Sequence, residues 1–163
     1  MKDSIRPIEQ QDREAVIDLF NHYVEHSFAA YPETKVPYQA FDQFLQGPAG
    51  YPKLAVVAED GGLAGFGFLR AHHPLPAFSR AAEATYFLRP DCTGRGLGSR
   101  LLGRLEEGAR ACGVTTILAS ISSLNPASLH FHARQGFAEC GRFAGIGRKW
   151  GRDFDVVWMQ KRL

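Results

Sequence analysis

One segment limits what this chain can fold into: Leu88-Arg89-Pro90-Asp91-Cys92-Thr93-Gly94-Arg95-Gly96-Leu97-Gly98. Glycines at alternate positions let backbone N–H groups turn inward and approach a ligand closely. Directly afterwards, Leu101, Leu102, Leu105 and Ala109 recur at helical spacing. Before the loop, residues 83–89 read as a strand that Pro90 ends. A strand, a glycine loop and a helix in that order bring free amides and the positive end of a helix dipole to one point. Such a point is an anion site suited to a phosphate or pyrophosphate, and Arg95 and Arg100 add charge nearby. A Walker-type loop would need Gly-Lys-Ser/Thr at the helix start, whereas Gly98 leads into Ser99-Arg100. A dinucleotide fingerprint would follow the first strand of a βαβ unit, and this loop sits in mid-chain after a hairpin. On spacing alone, a plain glycine-rich turn stays open.

The other elements follow from periodicity and punctuation. Ser4-Ile5-Arg6 reads as an entry strand. After Pro7 and a polar Gln10-Gln11-Asp12, a helix presents Ala15, Val16, Leu19, Phe20 and Tyr23 on one face. Residues 38–45 predict a second helix, stopped by Gly47 and Pro48. Residues 54–59 and 63–69 predict strands around an Asp60-Gly61-Gly62 turn. Residues 71–80, with Pro74 and Pro76, predict a loop, and residues 114–120 a buried strand. Asn125 as cap and Pro126 in the first turn open a helix that ends at Gly136. Residues 137–143 and 154–160 predict the last strands. A β-hairpin followed by βαβα implies an α/β (α+β) fold, a mixed central sheet flanked by helices. With 163 residues, 45% of them apolar, the chain suits a single domain over 1–163.

Charge and cysteine usage narrow the function classes. Nineteen Lys and Arg stand against 17 Asp and Glu, a net charge of +2. That balance makes no large field and argues against a nucleic-acid partner. No apolar run approaches the roughly 18 residues of a membrane helix. MKDSIRPIEQ carries no apolar segment of signal-peptide type, so the expected location is cytoplasmic, away from membranes. Cys92, Cys112 and Cys140 form a sparse, odd set without CxxC spacing, read as reduced thiols rather than a disulfide frame or zinc site. Cys92 borders the glycine loop but has no base partner in sequence. His130 and His132, two apart on a helix, point roughly 200° apart, so they do not ligate a metal together; no metal is expected. Glu83 stands among Ala81, Ala82, Ala84 and Thr85 on the strand entering the loop. By pattern alone it reads as a solvated carboxylate. Phe66, Phe68, Tyr86 and Phe87 alternate along adjacent strands, as core and sheet faces do.

A wider set of motifs carries a resemblance. Leu-x-Pro, the Arg-Gly-x-Gly core with its helix, and Asn125…Phe131-x-x-x-x-Gly136-Phe137 resemble the GNAT superfamily of acetyl-CoA-dependent N-acetyltransferases. Ile5-Arg6-Pro7, Asn21, Glu33-Thr34, Glu83, Asn125-x-Ala127-Ser128, His132 and Gly147-Arg148-Lys149-Trp150-Gly151-Arg152-x-x-Asp155 are similar to one subgroup. That subgroup is the phosphinothricin and methionine sulfoximine N-acetyltransferases, and the likeness runs along nearly the whole chain.

The resemblance implies a GNAT-like fold whose splayed parallel strands form the CoA cleft. It implies acetyl-CoA as cosubstrate, with its pyrophosphate on the amides of Thr93, Gly94, Arg95, Gly96, Leu97, Gly98 and Ser99. The pantetheine arm would pair like a strand with Tyr86, Phe87 and Leu88 and touch Asn125. Glu83 would be the general base, the Leu88 N–H the oxyanion donor and His132 the acid to the leaving thiolate, where most GNAT members carry Tyr. The acceptor would be a small-molecule amine, an amino acid or analogue. Its site would gather Phe28, Tyr31 and Glu33, the loop from Arg70 through His72 and His73, and Lys149. The family usually has Gln or Arg where this chain has Thr93, and an aromatic and an Arg near His72 and His73. Arg70 and Arg80 are then the nearest guanidinium groups for an α-carboxylate. A homodimer is the expected assembly. A polyamine, antibiotic or protein N-terminus as acceptor, and a CoA-binding module without catalysis, stay open.

Overall fold

The computed structural model describes residues 3–163. Strand β1 (Ser4–Pro7) enters the sheet and a single 3₁₀ turn leads into helix α1 (Arg13–His26). Helix α2 (Ala40–Phe44) follows, then strands β2 (Lys53–Val57), β3 (Leu63–Ala71) and β4 (Ala81–Leu88). Helix α3 (Leu97–Ala111), strand β5 (Thr116–Ser122), helix α4 (Pro126–Arg134) and strands β6 (Ala138–Lys149) and β7 (Arg152–Arg162) complete the chain. The order in the one seven-stranded sheet is β1-β2-β3-β4-β5-β7-β6. Every pairing is antiparallel except β4 with β5, the pair joined through α3.

Helices cover both faces. On one, Leu97, Leu101, Leu102, Leu105 and Ala109 of α3 pack against Leu69, Ala82, Ile117 and Ala119. On the other, Val16, Ile17 and Leu19 of α1 pack with Phe41, Phe66 and Phe68. Each buried Leu, Ile, Val or Phe among them contributes about 1.5–3 kcal/mol relative to exposure. Asn125 caps α4 as its sequence predicts: its side chain accepts the Ser128 N–H, and Pro126 fills the first helical position.

The strands and helices fall where expected, with differences of physical origin. Helix α2 is shorter than residues 38–45, because its lead-in bonds, Ala40 N–H to the Pro37 carbonyl and Phe41 N–H to that of Tyr38, are of the tighter 3₁₀ kind. Strand β6 is longer than residues 137–143. It is an edge strand with β7 as its one neighbour, and its residues are exposed almost throughout. Apart from Lys149 at its end it is exposed or only part-buried, so it shows no apolar alternation from which its length could be read. Among the described residues no helix is long and apolar enough to cross a membrane.

The feature that positions the site is a short parallel contact. β4 and β5 pair only at Ala81–Thr116, Ala82–Ile117 and Glu83–Leu118. Beyond Glu83 they separate, while β5 stays paired with β7 up to Ser122. The resulting cleft opens between residues 84–88 of one strand and 119–122 of the other.

Candidate active site

Strand alternation assigns the cleft residues to two faces. Glu83, Thr85 and Phe87 look toward α1, where Phe87 packs on Phe20 and Tyr23. Tyr86 and Leu88 look toward α3 and α4. The ladder fixes the backbone as well. Leu88 lies opposite Gly65, and the Arg89 N–H donates to the Ala64 carbonyl. In an antiparallel ladder with that register, Tyr86 and Leu88 turn their N–H and C=O away from β3, into the cleft. The main-chain groups of Phe87 belong to the β3 ladder, so strand addition here would use Tyr86 and Leu88, not Phe87. The Leu88 carbonyl accepts the Tyr23 hydroxyl at 2.5 Å; α1 therefore reaches across to the end of β4.

The glycine loop behaves as its sequence requires. Gly94 has φ +72° and Gly96 +79°, the left-handed region where side chains are strained. A Cβ built at either meets nothing within 4 Å, so the space over the loop is open. Gly98 serves packing instead, since a Cβ there would lie 3.2 Å from the Phe131 ring. The first intrahelical bond of α3 runs from the Arg100 N–H to the Gly96 carbonyl, which leaves the amides of Leu97, Gly98 and Ser99 without helical partners. Thr93 drops out of the cradle. Its N–H and its hydroxyl both donate to the Pro90 carbonyl, at 3.3 and 2.8 Å. Arg95 and Arg100 reach back to Asp3, the first through an ion pair at 3.6 Å and the second to the main-chain carbonyl at 3.0 Å. An open loop with free amides fits a pyrophosphate. With it, the divided strands fit an extended pantetheine arm.

On the α1 face, Glu83 is held from two sides. Its Oε2 accepts from Arg70 Nε at 3.0 Å and Nη2 at 2.7 Å, and its Oε1 pairs with His72 Nδ1 at 2.9 Å. Arg70 lies directly opposite Glu83 in the β3–β4 register. The His72 ring stands edge-on to Trp158 of β7, with centroids 6.2 Å apart. Trp158 in turn lies opposite Ser120 of β5. The Tyr31 hydroxyl bonds Ser120 Oγ at 3.1 Å, and its ring stacks on Phe154. Phe28 packs on Phe154 and Trp150. Ser120 and Trp158 were not legible as site residues. Their signal was one polar and one aromatic residue at facing positions of two strands, meaningful only once β5 and β7 are known to pair.

Other expected site residues have different work. Lys149 is fully buried, and its Nζ donates to the carbonyls of Val24, Ser27 and Ala30, each at 2.7 Å. Burial pulls its ammonium below the usual lysine range, opposed by Glu33. All three of its protons are spent on the last turn of α1 and the loop after it, so it does not face an acceptor. Glu33 accepts the Trp150 N–H at 2.6 Å and is likewise a latch between the β6–β7 turn and the loop after α1. His73 turns from Glu83; its Nδ1 accepts the Leu75 N–H at 3.2 Å and its ring packs on Phe78.

His132 lies on the α3/α4 side and is buried. Its Nδ1 is 2.7 Å from the Ser128 carbonyl, which can only accept, so Nδ1 carries the proton. Burial lowers its pKa and keeps the ring neutral. Nε2 is then a lone pair, and it receives the Tyr86 hydroxyl. Burial also raises the Tyr86 phenol, so it stays protonated. His132 thus has no N–H aimed into the cleft. In this arrangement its Nε2 braces the Tyr86 hydroxyl.

Residues 14–137 match the Acetyltransferase (GNAT) family. The chain belongs to that family. It is 33% identical over 162 residues to an L-amino acid N-acyltransferase of Escherichia coli, MnaT, with 98% of this chain and 94% of that one covered. It is 31% identical to a phosphinothricin N-acetyltransferase of Streptomyces coelicolor over 98% of this chain and 95% of the relative. The structure of yncA from Salmonella typhimurium with its cofactor acetyl-CoA superposes with a TM-score of 0.86 at 30% identity, covering 100% of this chain and 95% of that one. As a GNAT N-acetyltransferase, this protein takes its acyl group from acetyl-CoA, and the seven-stranded sheet with parallel β4 and β5 is the family's fold.

Proposed function

We propose that this acetyltransferase acetylates the α-amine of an amino acid or a close analogue, of the phosphinothricin or methionine sulfoximine type, by direct attack in a ternary complex. The observation that carries the reading is the Glu83 carboxylate, held at the point where β4 and β5 part, with a guanidinium beside it. An acceptor ammonium must lose a proton before its nitrogen can attack, and a carboxylate at hydrogen-bond distance can take it, directly or through one water. Acetyl-CoA, bound over the glycine loop, supplies an activated acyl carbonyl. The Leu88 N–H, turned into the cleft, is the donor for the oxygen that becomes anionic. Tyr31, Phe28 and Trp158 wall the acceptor side, and Tyr86 braced by His132 walls the side on which the thiol leaves. The names of the relatives point the same way, toward amino acids and their analogues as acceptors.

The test is free-thiol release from acetyl-CoA across a panel of amines: methionine sulfoximine, phosphinothricin, common amino acids, a polyamine and an aminoglycoside. The expected result is rapid release with members of the first three groups. Release only with the last two would move the acceptor class. Acetyl-CoA binding without release to any amine would replace catalysis by simple CoA binding.

A further inference from the structure

Glu83 is a base with little room to act as one. Three N–H groups already reach its carboxylate, two from Arg70 on Oε2 and one from His72 on Oε1. A carboxylate offers about four lone-pair positions, so three are occupied, and the approaching ammonium would find a guanidinium where it needs a carboxylate oxygen. The two partners of this ion pair are unequal. The Glu83 side chain is 13% exposed and fixed in the cleft, whereas that of Arg70 is 57% exposed. A pair with one exposed, long-stemmed partner is weakly held and readily exchanged.

We propose that Arg70 is a substrate-responsive mask on the base. Without an acceptor it occupies Glu83. An amino acid exchanges both partners at once: its α-carboxylate draws the guanidinium into a two-pronged pair, and its ammonium takes the freed Oε2. His72 keeps its hold on Oε1 and so keeps the carboxylate aimed. Each charge is paired before and after the exchange. An amine without a carboxylate has no such route, because its positive charge would have to displace Arg70 from Glu83 with nothing to receive the guanidinium. The acceptor class this selects is the zwitterion, a primary amine with a carboxylate on the adjacent carbon. The inference rests on Glu83 as base in the reading above and adds a positioning role for Arg70.

The experiment compares, in the wild-type enzyme and in Arg70→Ala and Arg70→Gln, the best amino acid of the panel with its decarboxylated amine and its carboxamide. In wild type, kcat/KM for the amino acid exceeds that for the decarboxylated amine by about 100-fold or more. In both variants KM for the amino acid rises, while kcat for the decarboxylated amine increases by about tenfold as the base is uncovered. Opposite movement for the two acceptors is a change that loss of structure cannot produce. Equal use of both acceptors by wild type, or an unchanged or lower rate with the decarboxylated amine in both variants, would overturn the mask. If no amino acid released thiol in wild type, the reading of the acceptor class would fail instead.

Discussion

Glu83→Gln lowers kcat for acetyl transfer by about 10²–10⁴-fold while leaving acetyl-CoA affinity within about threefold of wild type. The substitution keeps the size and planarity of the side chain, and an amide oxygen can still accept from Arg70 or His72. What it removes is the ability to take a proton from the acceptor ammonium. Glu83 faces α1, whereas the glycine loop and Tyr86 face α3 and α4, so the cosubstrate side of the cleft is undisturbed. Steady-state rates with saturating amino acid, together with calorimetric titration of acetyl-CoA, separate the two quantities. A kcat within threefold of wild type would show that solvent deprotonates the acceptor and that Glu83 is only an electrostatic neighbour. A loss confined to acetyl-CoA binding would mean that the two faces of the cleft are coupled in a way the geometry does not provide.

The second large effect concerns stability. Lys149→Met destabilises the fold by about 3 kcal/mol, a fall in Tm of roughly 6–12 °C for a chain of this size. The ammonium satisfies three main-chain carbonyls, of Val24 in α1 and of Ser27 and Ala30 just after it. Methionine fills much of the same volume but donates nothing, so those carbonyls lose charge-assisted bonds worth about 1.5–3 kcal/mol each. Recovery of the desolvation cost of a buried charge offsets part of that loss. The same ammonium sits 4.3 Å from the centre of the Trp150 ring, and Trp150 itself holds φ +50°, outside the range comfortable for a side chain. Removing Lys149 therefore also loosens the turn whose N–H binds Glu33, and with it the Phe28–Tyr31 wall. Thermal unfolding followed by circular dichroism reads the stability. A Tm within 2 °C of wild type would mean that water replaces the ammonium at little cost.

What could be read from the sequence and what could not divide along a physical line. The glycine loop was legible because prolines and glycines act on the backbone locally, and the Asn125-Pro126 start of α4 was legible for the same reason. Glu83 was a candidate only through the resemblance, since by pattern alone it reads as a solvated carboxylate. Its partners were less legible. Arg70 and Glu83 face each other through a strand register separated by a nine-residue connection with a 3₁₀ turn, and no local rule sets that register. Ser120 and Trp158 meet through β5 and β7, which are distant in sequence. Lys149 was placed at the acceptor by resemblance, since a sequence does not tell a lysine buried under three carbonyls from one reaching for a ligand. His132 was found as a residue of the cleft, but its tautomer depends on the Ser128 carbonyl and the Tyr86 hydroxyl together. The full length of strand β6 escaped because an edge strand with exposed faces carries no pattern.

In the function proposed above, the amine and the thioester meet in the gap between β4 and β5, each held on its own face, and the acetyl group passes directly from sulfur to nitrogen. Initial velocities measured while both acetyl-CoA and the amino acid are varied test this most directly. The expected result is reciprocal plots that intersect, as a ternary complex requires. Parallel lines, with an acetylated enzyme accumulating when the amine is left out, would contradict it, because they mark a covalent acetyl-enzyme in place of direct transfer.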